Sequence, residues 1–432
     1  MVACYVRDVE VASSNLVTPT RKKLSLNYTN KHKLYFVGCQ HITNCASRLF
    51  VLVCVICVQK NTFDVKNMKN NRILLSMSGG IDSSVVAMVL LQQGCEVVGV
   101  TYRTWDSVSQ SCFEREKGCC TINSMMEAKK MAEKLGFEHH FIDLREKFRK
   151  SVITDFVGEY LAGRTPNPCV VCNAEIKWGE VLKLADALDC QHIATGHYAQ
   201  IEQNGNDFYL KKGVDIKKDQ TYFLWRLPQN VLSRTIFPLG KLTKPEVRKI
   251  AFDNGFEQLS KKTESQEICF IPNNDYREFL EQEVENYKDI CKEGNFVDNQ
   301  GNILGKHSGY PNFTIGQRKG LNITLGNPMF VAKILPESNE VVLTERENLE
   351  CSELLAKDCI FVNRSKLSNS FEVKAQIRYK SPAEKAQIFF EGNFAKVKFS
   401  SPVWGVTPGQ SVVFYQNDLV IGGGVIYTKD TN

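Results

Sequence analysis

The stretch SMSGGIDSS, residues 76–84, places two glycines, an aspartate and several serines between two regular segments. The apolar run before it, residues 73–77, predicts a buried strand, and the spacing after it, residues 83–93, predicts a helix. Gly79 and Gly80 allow a tight turn whose backbone N–H groups face inward, where the helix dipole adds positive potential. Such a turn binds phosphate; the alternative is an ordinary glycine turn with a Ser/Asp helix cap. No Gly-Lys-Ser/Thr follows, which excludes a Walker A loop.

Beyond residue 93, strand-like and helical segments alternate. Strands are predicted at residues 96–102, 140–144 and 192–195, and helices at residues 124–135 and 177–188. This alternation predicts an α/β domain with a doubly wound parallel sheet, in which ligands bind at the carboxyl ends of the strands. From about Gly294, short strands and Gly/Pro/Asn turns predict a small central domain and then a C-terminal β-barrel. We expect domains at residues 68–275, 276–345 and 346–432.

The net charge of +6 lies entirely in residues 1–67, which carry nine Lys/Arg and three Asp/Glu. The rest of the chain is neutral in sum, so any polyanion site must be a local patch. The apolar run at residues 49–58 is half of the ~20 residues that a membrane helix needs. Neither a secretory signal nor a transit peptide fits. We expect the functional protein to start near Met68 in a reducing cytoplasm, with a degenerate targeting extension as the alternative for residues 1–67.

The segment GRTPNPCVVCNAEIKWGE, residues 163–180, contains a Cys-x-x-Cys pair behind two prolines. The prolines predict an extended loop that delivers Cys169 and Cys172 to a helix beginning near Ala174. A helix N-terminus and the nearby Lys177 would lower a thiol pKa and favour thiolate. Cys269 follows in ESQEICFI. Reduced cysteines in this context are catalytic or metal-binding, whereas each taken singly is more often a small buried apolar residue.

Several motifs together carry a family resemblance. They are SGGIDS, GRTPNPCVVCN, ATGHYA, KKDQTYFLW, ESQEICFI, GQRKGL, QIRYKSP and VTPGQSVVFY. The first is similar to the PP-loop of ATP pyrophosphatases, which have a HUP-type sheet and transfer AMP to a substrate oxygen. All of them, in this order from about Met68 to Tyr427, resemble tRNA-specific 2-thiouridylases of the MnmA type. The resemblance implies replacement of O2 of the tRNA wobble uridine, U34, by sulfur. It also implies ATP, Mg²⁺, tRNA, a persulfide-relay protein or cysteine desulfurase, and no membrane partner.

The same resemblance assigns roles to individual residues. Cys269 would carry the persulfide and Cys172 would release the sulfur, through a transient disulfide between them. Contacts to ATP are implied for Ser76, Met77, Ser78, Gly79, Gly80, Ile81, Asp82, Ser83, Tyr102 and Gly196. Asp82 would help to hold Mg²⁺, and the Ser84 hydroxyl would join those of the other serines on pyrophosphate. Contacts to tRNA are implied for Asn167, Pro168, Cys169, His197, Lys218, Asp219, Gln220, Arg378, Tyr379 and Gln410.

Two departures from the family pattern matter. Tyr102 stands where many members have Met, and Cys169 stands where many have Asp. The second change leaves Cys169, Cys172 and Cys269 as three soft ligands that could hold an iron–sulfur cluster. A further group, Cys112, Cys119 and Cys120, could bind Zn²⁺ or belong to a loop.

Two other functions are alternatives. One is a PP-loop ligase or amidotransferase that adenylates a small molecule, although no glutaminase-like segment is evident and the β-rich C-terminus would lack a purpose. The other is a non-catalytic RNA-binding protein, which would need neither the SGGIDS turn nor the paired cysteines.

Overall fold

The computed structural model describes residues 71–105, 122–262, 268–271, 275–391 and 394–428. The predicted extension at residues 1–67 and the Cys112, Cys119 and Cys120 group lie outside these residues.

The first domain alternates strands with helices, as predicted. Its strands are β1 Arg72–Ser76, β2 Glu96–Arg103, β3 Glu138–Asp143, β4 His192–Ala194, β5 Ala199–Asn204, β6 Asp207–Lys212 and β7 Thr235–Ile236. Its α-helices are α1 Ile81–Gln92, α2 Ile122–Leu135, α3 Arg145–Phe148, α4 Thr154–Leu161, α5 Pro168–Val171, α6 Gly179–Ala187, α7 Gln229–Leu232, α8 Lys244–Asp253 and α9 Glu257–Lys261. Two π-helical segments, Arg149–Ile153 and Cys172–Trp178, join α3 to α4 and α5 to α6.

Five of these strands form a parallel sheet in the order β3-β2-β1-β4-β7. The chain moves outward from β1 to β3 and then returns to the other side of β1, which confirms the doubly wound topology. The order reverses between β1 and β4, and ligands of open α/β sheets bind beyond the carboxyl ends of the strands at such a point. Helix α1 is buried along most of its length because it packs within the core against this sheet.

One predicted helix boundary was wrong. We expected a helix to begin near Ala174, but the helical run starts at Pro168 and continues into Ala187. Proline has no N–H to lose at the first helical position, and its fixed φ suits a helix start. Cys169 is therefore in the first turn, and Cys172 lies one turn deeper.

The central domain combines two short helices, α10 Tyr276–Glu283 and α11 Tyr287–Ile290, with a four-stranded sheet. The sheet contains β8 Gly294–Val297, β9 Ile303–His307, β10 Phe330–Leu335 and β11 Glu340–Thr344, in the order β10-β11-β8-β9. Phe296, Tyr310 and Phe313 centre its small apolar core.

The C-terminal domain is the predicted β-barrel. Its strands are β12 Glu350–Phe361, β13 Ser370–Gln376, β14 Glu384–Glu391, β15 Phe394–Trp404, β16 Ser411–Gln416 and β17 Leu419–Tyr427. They pair antiparallel in the order β12-β15-β14-β13-β16-β17, and β17 pairs with β12 to close the ring. The hairpin β5–β6 of the first domain joins the edge of β17, so a sheet runs across the boundary between the two domains. No described helix is long and apolar enough to cross a membrane.

Candidate active site

The turn after β1 is held by close backbone contacts. The Met77 N–H donates to the carbonyl of Val100 on β2 at 2.8 Å. Gly79 has a φ of +69°, and a Cβ at this position would lie 2.2 Å from the Ser124 carbonyl oxygen. Only glycine satisfies both conditions, because other residues rarely adopt this φ and any side chain would collide with α2. We refer to residues 76–83 as the PP-loop.

The serines of this turn differ in whether their hydroxyls have hydrogen-bond partners. Ser83 accepts a hydrogen bond from the Ser78 N–H at 3.2 Å, and Ser84 donates its hydroxyl to the Gly80 carbonyl at 2.9 Å. These bonds shape the start of α1, and Ser84 has already used its only donor. The Ser76 hydroxyl is buried and has no hydrogen-bond partner. A buried polar atom without a partner is costly, so Ser76 fits a role in binding a ligand such as phosphate.

Asp82 forms an ion pair with Lys244 that the sequence did not reveal. Lys244, at the first position of α8, places its Nζ 2.7 Å from Oδ1 and 2.9 Å from Oδ2 of Asp82. The Tyr198 hydroxyl donates to Oδ1 at 2.8 Å. The Lys244 side chain is 8% exposed and that of Asp82 is 31% exposed. The carboxylate is therefore oriented by two partners, and its open side faces solvent.

The loop after β4 approaches the PP-loop from the other side of the switch point. A Cβ on Gly196 would lie 3.0 Å from the Asp82 Cβ and the Ser83 nitrogen. Glycine is therefore needed here for close approach of two backbones. The His197 ring stacks at an angle on Trp178, 5.4 Å between centroids, and its Nδ1 is 2.8 Å from the Thr195 hydroxyl. Burial, and secondarily the Lys177 charge, hold the pKa of His197 well below its usual value, so the ring is neutral.

The predicted cysteines differ in exposure. Cys169 is exposed, Cys172 is buried and Cys269 is half-buried. Cys172 packs in an apolar cluster with Ile176 and Phe270, and Cys269 packs against the same cluster. Two cysteines that lie 97 residues apart in the sequence thus belong to one apolar cluster.

This cluster occupies a defined place on the sheet. Trp105, two residues beyond β2, and Leu144, directly after β3, both pack against it. The Trp105 ring is 6.3 Å from Phe270 and 5.6 Å from Phe279. The cluster that contains the cysteines therefore lies beyond the carboxyl ends of β2 and β3, at the same edge of the parallel sheet as the PP-loop, which follows β1. One edge of the sheet carries both sites.

The three-cysteine arrangement expected for a cluster does not form. Among the described residues, which include Cys169, Cys172 and Cys269, no three His, Cys, Asp or Glu side chains come together where they could hold a metal ion. The side chains present do not fit a resident iron–sulfur cluster.

The predicted tRNA residues of the KKDQ segment have internal partners. Asp219 accepts from the Gly213 N–H at 2.9 Å and from the Thr221 hydroxyl at 2.7 Å. Gln220 accepts from the Tyr198 N–H at 3.0 Å. Burial raises the pKa of Asp219, although the hydrogen bonds of Thr221 and Gly213 oppose the shift. The side chains of Asp219 and Gln220 shape the turn, and the neighbouring Lys218 is half-buried.

Arg378 and Tyr379 lie just after β13. The Arg378 guanidinium donates to the Trp404 carbonyl at 2.9 Å and lies 4.8 Å from the centre of its ring. Burial lowers the pKa of Arg378, yet the group stays charged. The Tyr379 ring lies 4.4 Å from Phe223 of the KKDQTYF segment. Tyr379 therefore packs against the first domain, and Arg378 packs against Trp404 of the barrel.

The remaining predicted tRNA residues meet around the loop that leads to Cys172. Gln410, directly before β16, donates its side-chain amide to the carbonyls of Thr165 and Pro166 at 3.1 and 2.8 Å. The Asn167 side chain forms a hydrogen bond with the Tyr222 hydroxyl, and Pro168 opens α5. Gln410 and Asn167 are 243 positions apart and share one neighbourhood.

Lys244 and Tyr198 are the functional-site residues that sequence reasoning missed. A signal for Lys244 exists in LTKPEVR, where Thr243 and Glu246 form a capping box and mark a helix start. A lysine in the first turn of a helix opposes the helix dipole. Such a residue therefore calls for an anionic partner, which here is Asp82.

Three family models match successive parts of the chain. The tRNA methyl transferase HUP domain matches residues 71–273, and the tRNA methyl transferase PRC-barrel domain matches residues 277–345. The aminomethyltransferase beta-barrel domain matches residues 351–426.

The match covers the curated relatives nearly from end to end. The tRNA-specific 2-thiouridylase MnmA of Amoebophilus asiaticus is 46% identical over 366 residues, covering 83% of this chain and 96% of the relative. That of Halothermothrix orenii is 47% identical over 358 residues, covering 82% of this chain and 99% of the relative. Among solved structures, the U34-tRNA thiolase NcsA of Methanococcus maripaludis covers 56% of this chain and 74% of its own, at 17% identity and a TM-score of 0.33. The resemblance that the motifs predicted is confirmed: the chain belongs to the tRNA-specific 2-thiouridylase family.

Proposed function

We propose that this protein replaces O2 of the wobble uridine of tRNA with sulfur, in an ATP-dependent reaction on two neighbouring sites of one sheet edge. The observation that carries the proposal is that Cys172 and Cys269 belong to one apolar cluster at the sheet edge that also carries the PP-loop. A small-molecule ligase of this fold would need no second cysteine brought to that place. An RNA-binding module would need neither site.

In the first half-reaction, uridine O2 attacks the α-phosphorus of ATP and pyrophosphate leaves, so that AMP becomes the leaving group on C2. The unpartnered Ser76 hydroxyl and the PP-loop N–H groups supply donors for phosphate oxygens. Asp82 would hold Mg²⁺ together with the phosphates, since Mg²⁺ in such sites takes few carboxylate ligands. Mg²⁺ would neutralise charge on the departing pyrophosphate.

Lys244 prepares Asp82 for this role. Its ammonium balances the carboxylate before nucleotide binds and keeps it oriented, together with Tyr198. A cation that binds the same oxygens competes directly with this ion pair. With Mg²⁺ on those oxygens, the Lys244 ammonium would be available to phosphate oxygens.

In the second half-reaction, a persulfide on Cys269 supplies sulfur. The Cys172 thiolate attacks the Cys269 Sγ, the sulfur–sulfur bond of the persulfide breaks, and hydrosulfide is released. Hydrosulfide attacks C2, AMP leaves, and the product is 2-thiouridine. A Cys172–Cys269 disulfide remains, and an external thiol must reduce it. The apolar surroundings keep water away from the activated uridine, which would otherwise return to uridine by hydrolysis.

The persulfide donor is a sulfur-relay protein or a cysteine desulfurase, because no described residue generates sulfane sulfur by itself. We assign the reaction to the cytoplasm, where tRNA and reduced thiols occur together. Sulfur transfer by an iron–sulfur cluster is disfavoured, because the three cysteines are not arranged as ligands.

The test is mass spectrometry of tRNA nucleosides after incubation with ATP, Mg²⁺ and a persulfide donor. We expect 2-thiouridine at the wobble position, together with tRNA-dependent AMP formation. AMP formation that depends on a small molecule and not on tRNA would support the ligase alternative. Iron bound to anaerobically purified, active protein would restore the cluster alternative.

A further inference from the structure

Residues 163–172 form a loop that runs into the start of α5, where Cys169 and Cys172 lie, and the loop part is hydrogen-bonded to the barrel domain. We call this segment the cysteine loop. The Gln410 amide donates to the Thr165 and Pro166 carbonyls, and the Thr165 N–H donates to the Pro408 carbonyl at 2.9 Å. Prolines remove backbone donors from this loop, so its carbonyls depend on partners outside it. Two hydrogen bonds from the Gln410 amide meet that need, and the Thr165 N–H donates a third bond back to the same barrel segment.

That segment, residues 406–410, is itself fixed to the barrel; we call it the barrel turn. The Gly409 N–H donates to the Ile426 carbonyl at 3.0 Å, and the Ile426 N–H donates to the Gln410 carbonyl at 2.8 Å. Gly409 has a φ of +89°, and a Cβ there would lie 2.7 Å from the Thr165 carbonyl oxygen. The two backbones are therefore in direct contact, and strand β17 anchors the turn that makes the contact.

A second contact lies directly behind the first. Tyr222 is fully buried, and its hydroxyl donates to the Ser411 carbonyl at 2.9 Å while also bonding the Asn167 side chain. The Trp225 indole N–H donates to the Ser411 hydroxyl at 3.0 Å. Ser411, the residue after Gln410, is thus held by the segment that contains Tyr222 and Trp225. Tyr222 of the same segment also contacts Asn167, which directly precedes α5.

We infer that the barrel turn sets the position of the cysteine loop, with Gln410 as a positioning residue for the Cys172 thiol. The inference rests on the proposed function only for what Cys172 does. In this arrangement, tRNA that displaces the barrel would also move the cysteine loop, because their backbones are bonded to each other. Both hydrogens of the Gln410 amide are engaged, so only its Oε1 is left for RNA.

Two variants test the inference, each with a matched control. Gln410→Met keeps the side-chain length and removes the donors, and its control is Gln387→Met on an exposed barrel position. Gly409→Ala introduces the Cβ that would meet Thr165, and its control is Gly301→Ala. Gly301 has a φ of +88° with no atom within 4 Å of an added Cβ, so it bears the same backbone strain without the contact.

The readout is the rate at which N-ethylmaleimide labels Cys172 in protein without tRNA, measured by peptide mass spectrometry. We expect Gln410→Met and Gly409→Ala to raise it by about tenfold, since loss of a buried hydrogen bond shifts a local opening equilibrium by about that factor. Both controls should label like the wild type. Cys190, which is buried elsewhere in the first domain, reports global unfolding and should not change.

The activity readout separates positioning from RNA contact. In Gln410→Met at saturating tRNA, the ratio of 2-thiouridine formed to AMP formed should fall by about tenfold. Unchanged Cys172 labelling with weaker tRNA binding would overturn the inference and make Gln410 a direct RNA contact. If Gln410→Met also exposes Cys190, Gly409→Ala against Gly301→Ala decides the question. A wild type without thiolation would refute the proposed function and leave the labelling result standing.

Discussion

The PP-loop and the cysteine loop lie at the same edge of the sheet but are held in different ways. The PP-loop takes its contacts from the first domain, through Val100, Ser124 and Lys244. The segment around the cysteine loop takes contacts from three domains. The Tyr310 hydroxyl of the central domain donates to the Leu161 carbonyl at 2.7 Å, and the barrel supplies Gln410.

This difference teaches that the two half-reactions have different structural requirements. Under the proposed function, adenylation would depend on a site that a single domain completes. Sulfur transfer would depend on a segment whose contacts include the central domain and the barrel. Changes in the accessory domains should therefore affect sulfur transfer before they affect AMP formation.

The largest effect is expected for Cys172 and Cys269, the two cysteines proposed to relay sulfur. Cys172→Ser and Cys269→Ser should each abolish thiolation, because an alcohol can neither carry nor release sulfane sulfur. AMP formation should persist in both, since the PP-loop is unaltered. Quantification of AMP and 2-thiouridine in the same reaction checks this.

Cys169→Ser is the matched control for these variants. It lies on the same loop and is exposed, so it should retain most of the thiolation. If all three serine variants are equally inactive, the separation between relay cysteines and Cys169 fails. Loss of AMP formation in Cys172→Ser would show that the two sites are not separable.

The next effect concerns the Asp82–Lys244 pair. Asp82→Ala should abolish AMP formation, and it should also lower the free energy of unfolding by about 2–4 kcal/mol, because it leaves a buried ammonium without its partner. The sequence alone places Asp82 in an exposed loop and predicts that Asp82→Ala does not lower the free energy of unfolding. Urea denaturation and AMP assays measure the two effects separately.

The double variant Asp82→Asn with Lys244→Met sharpens this prediction. It removes both charges, so stability should return towards that of the wild type while AMP formation stays absent. Nucleotide binding measured with and without Mg²⁺ gives an independent readout, because the Mg²⁺ dependence should disappear. Stable Asp82→Ala protein with normal AMP formation would disprove the role of this pair.

A smaller effect is expected at the barrel surface. Arg378→Ala should weaken tRNA binding and reduce the salt dependence by about one released counterion. Arg378→Lys keeps the charge but loses the planar contact with Trp404, so its salt dependence should match the wild type. Titrations at several salt concentrations measure the slopes. An unchanged slope in Arg378→Ala would assign the residue to packing alone.

The smallest expected effect is a pH dependence of the protein's stability, caused by His139 on β3. Thr101 donates to the Met77 carbonyl, so His139 must donate to Thr101 from Nε2. The His139 Nδ1 is buried without a partner. Burial, with the charges of His140 and Lys129, lowers the pKa of His139 to about 4. The folded protein therefore keeps this ring neutral at pH values where the unfolded chain protonates it.

Stability from this group is present above pH 6.5 and is lost as the pH falls towards about 4. We expect a loss of about 1–2 kcal/mol, after allowance for solvent screening of a half-buried ring. His139→Gln keeps a donor for Thr101 and cannot be protonated, so its melting temperature should fall less between pH 7 and pH 5. Equal slopes for the two proteins would contradict this account.

The parts of the site that could be predicted are those whose contacts join neighbours in the sequence. The parts that could not be predicted depend on contacts between distant positions. The SGGIDS turn, its strand and its helix are neighbours in sequence, and their order was sufficient to predict the strand–turn–helix arrangement of the PP-loop. Lys244 escaped prediction because the ion pair joins positions 162 apart. The start of the helix containing Cys172 was predicted six residues too far along the chain, near Ala174 and not at Pro168. Proline is compatible both with a loop and with the first position of a helix.

The sequence by itself determined the parallel sheet, the barrel and the residue types of both sites, because local spacing, turn chemistry and motif order encode them. Only the tertiary structure decided that Cys172 and Cys269 share a cluster, that Asp82 is balanced by Lys244, and that Gln410 bonds the cysteine loop. These contacts arise when sheet topology and domain packing bring distant segments together. Such pairings leave no periodic pattern in the chain, since the first two depend on how distant segments pack within the first domain and the third on how the barrel fits against that domain.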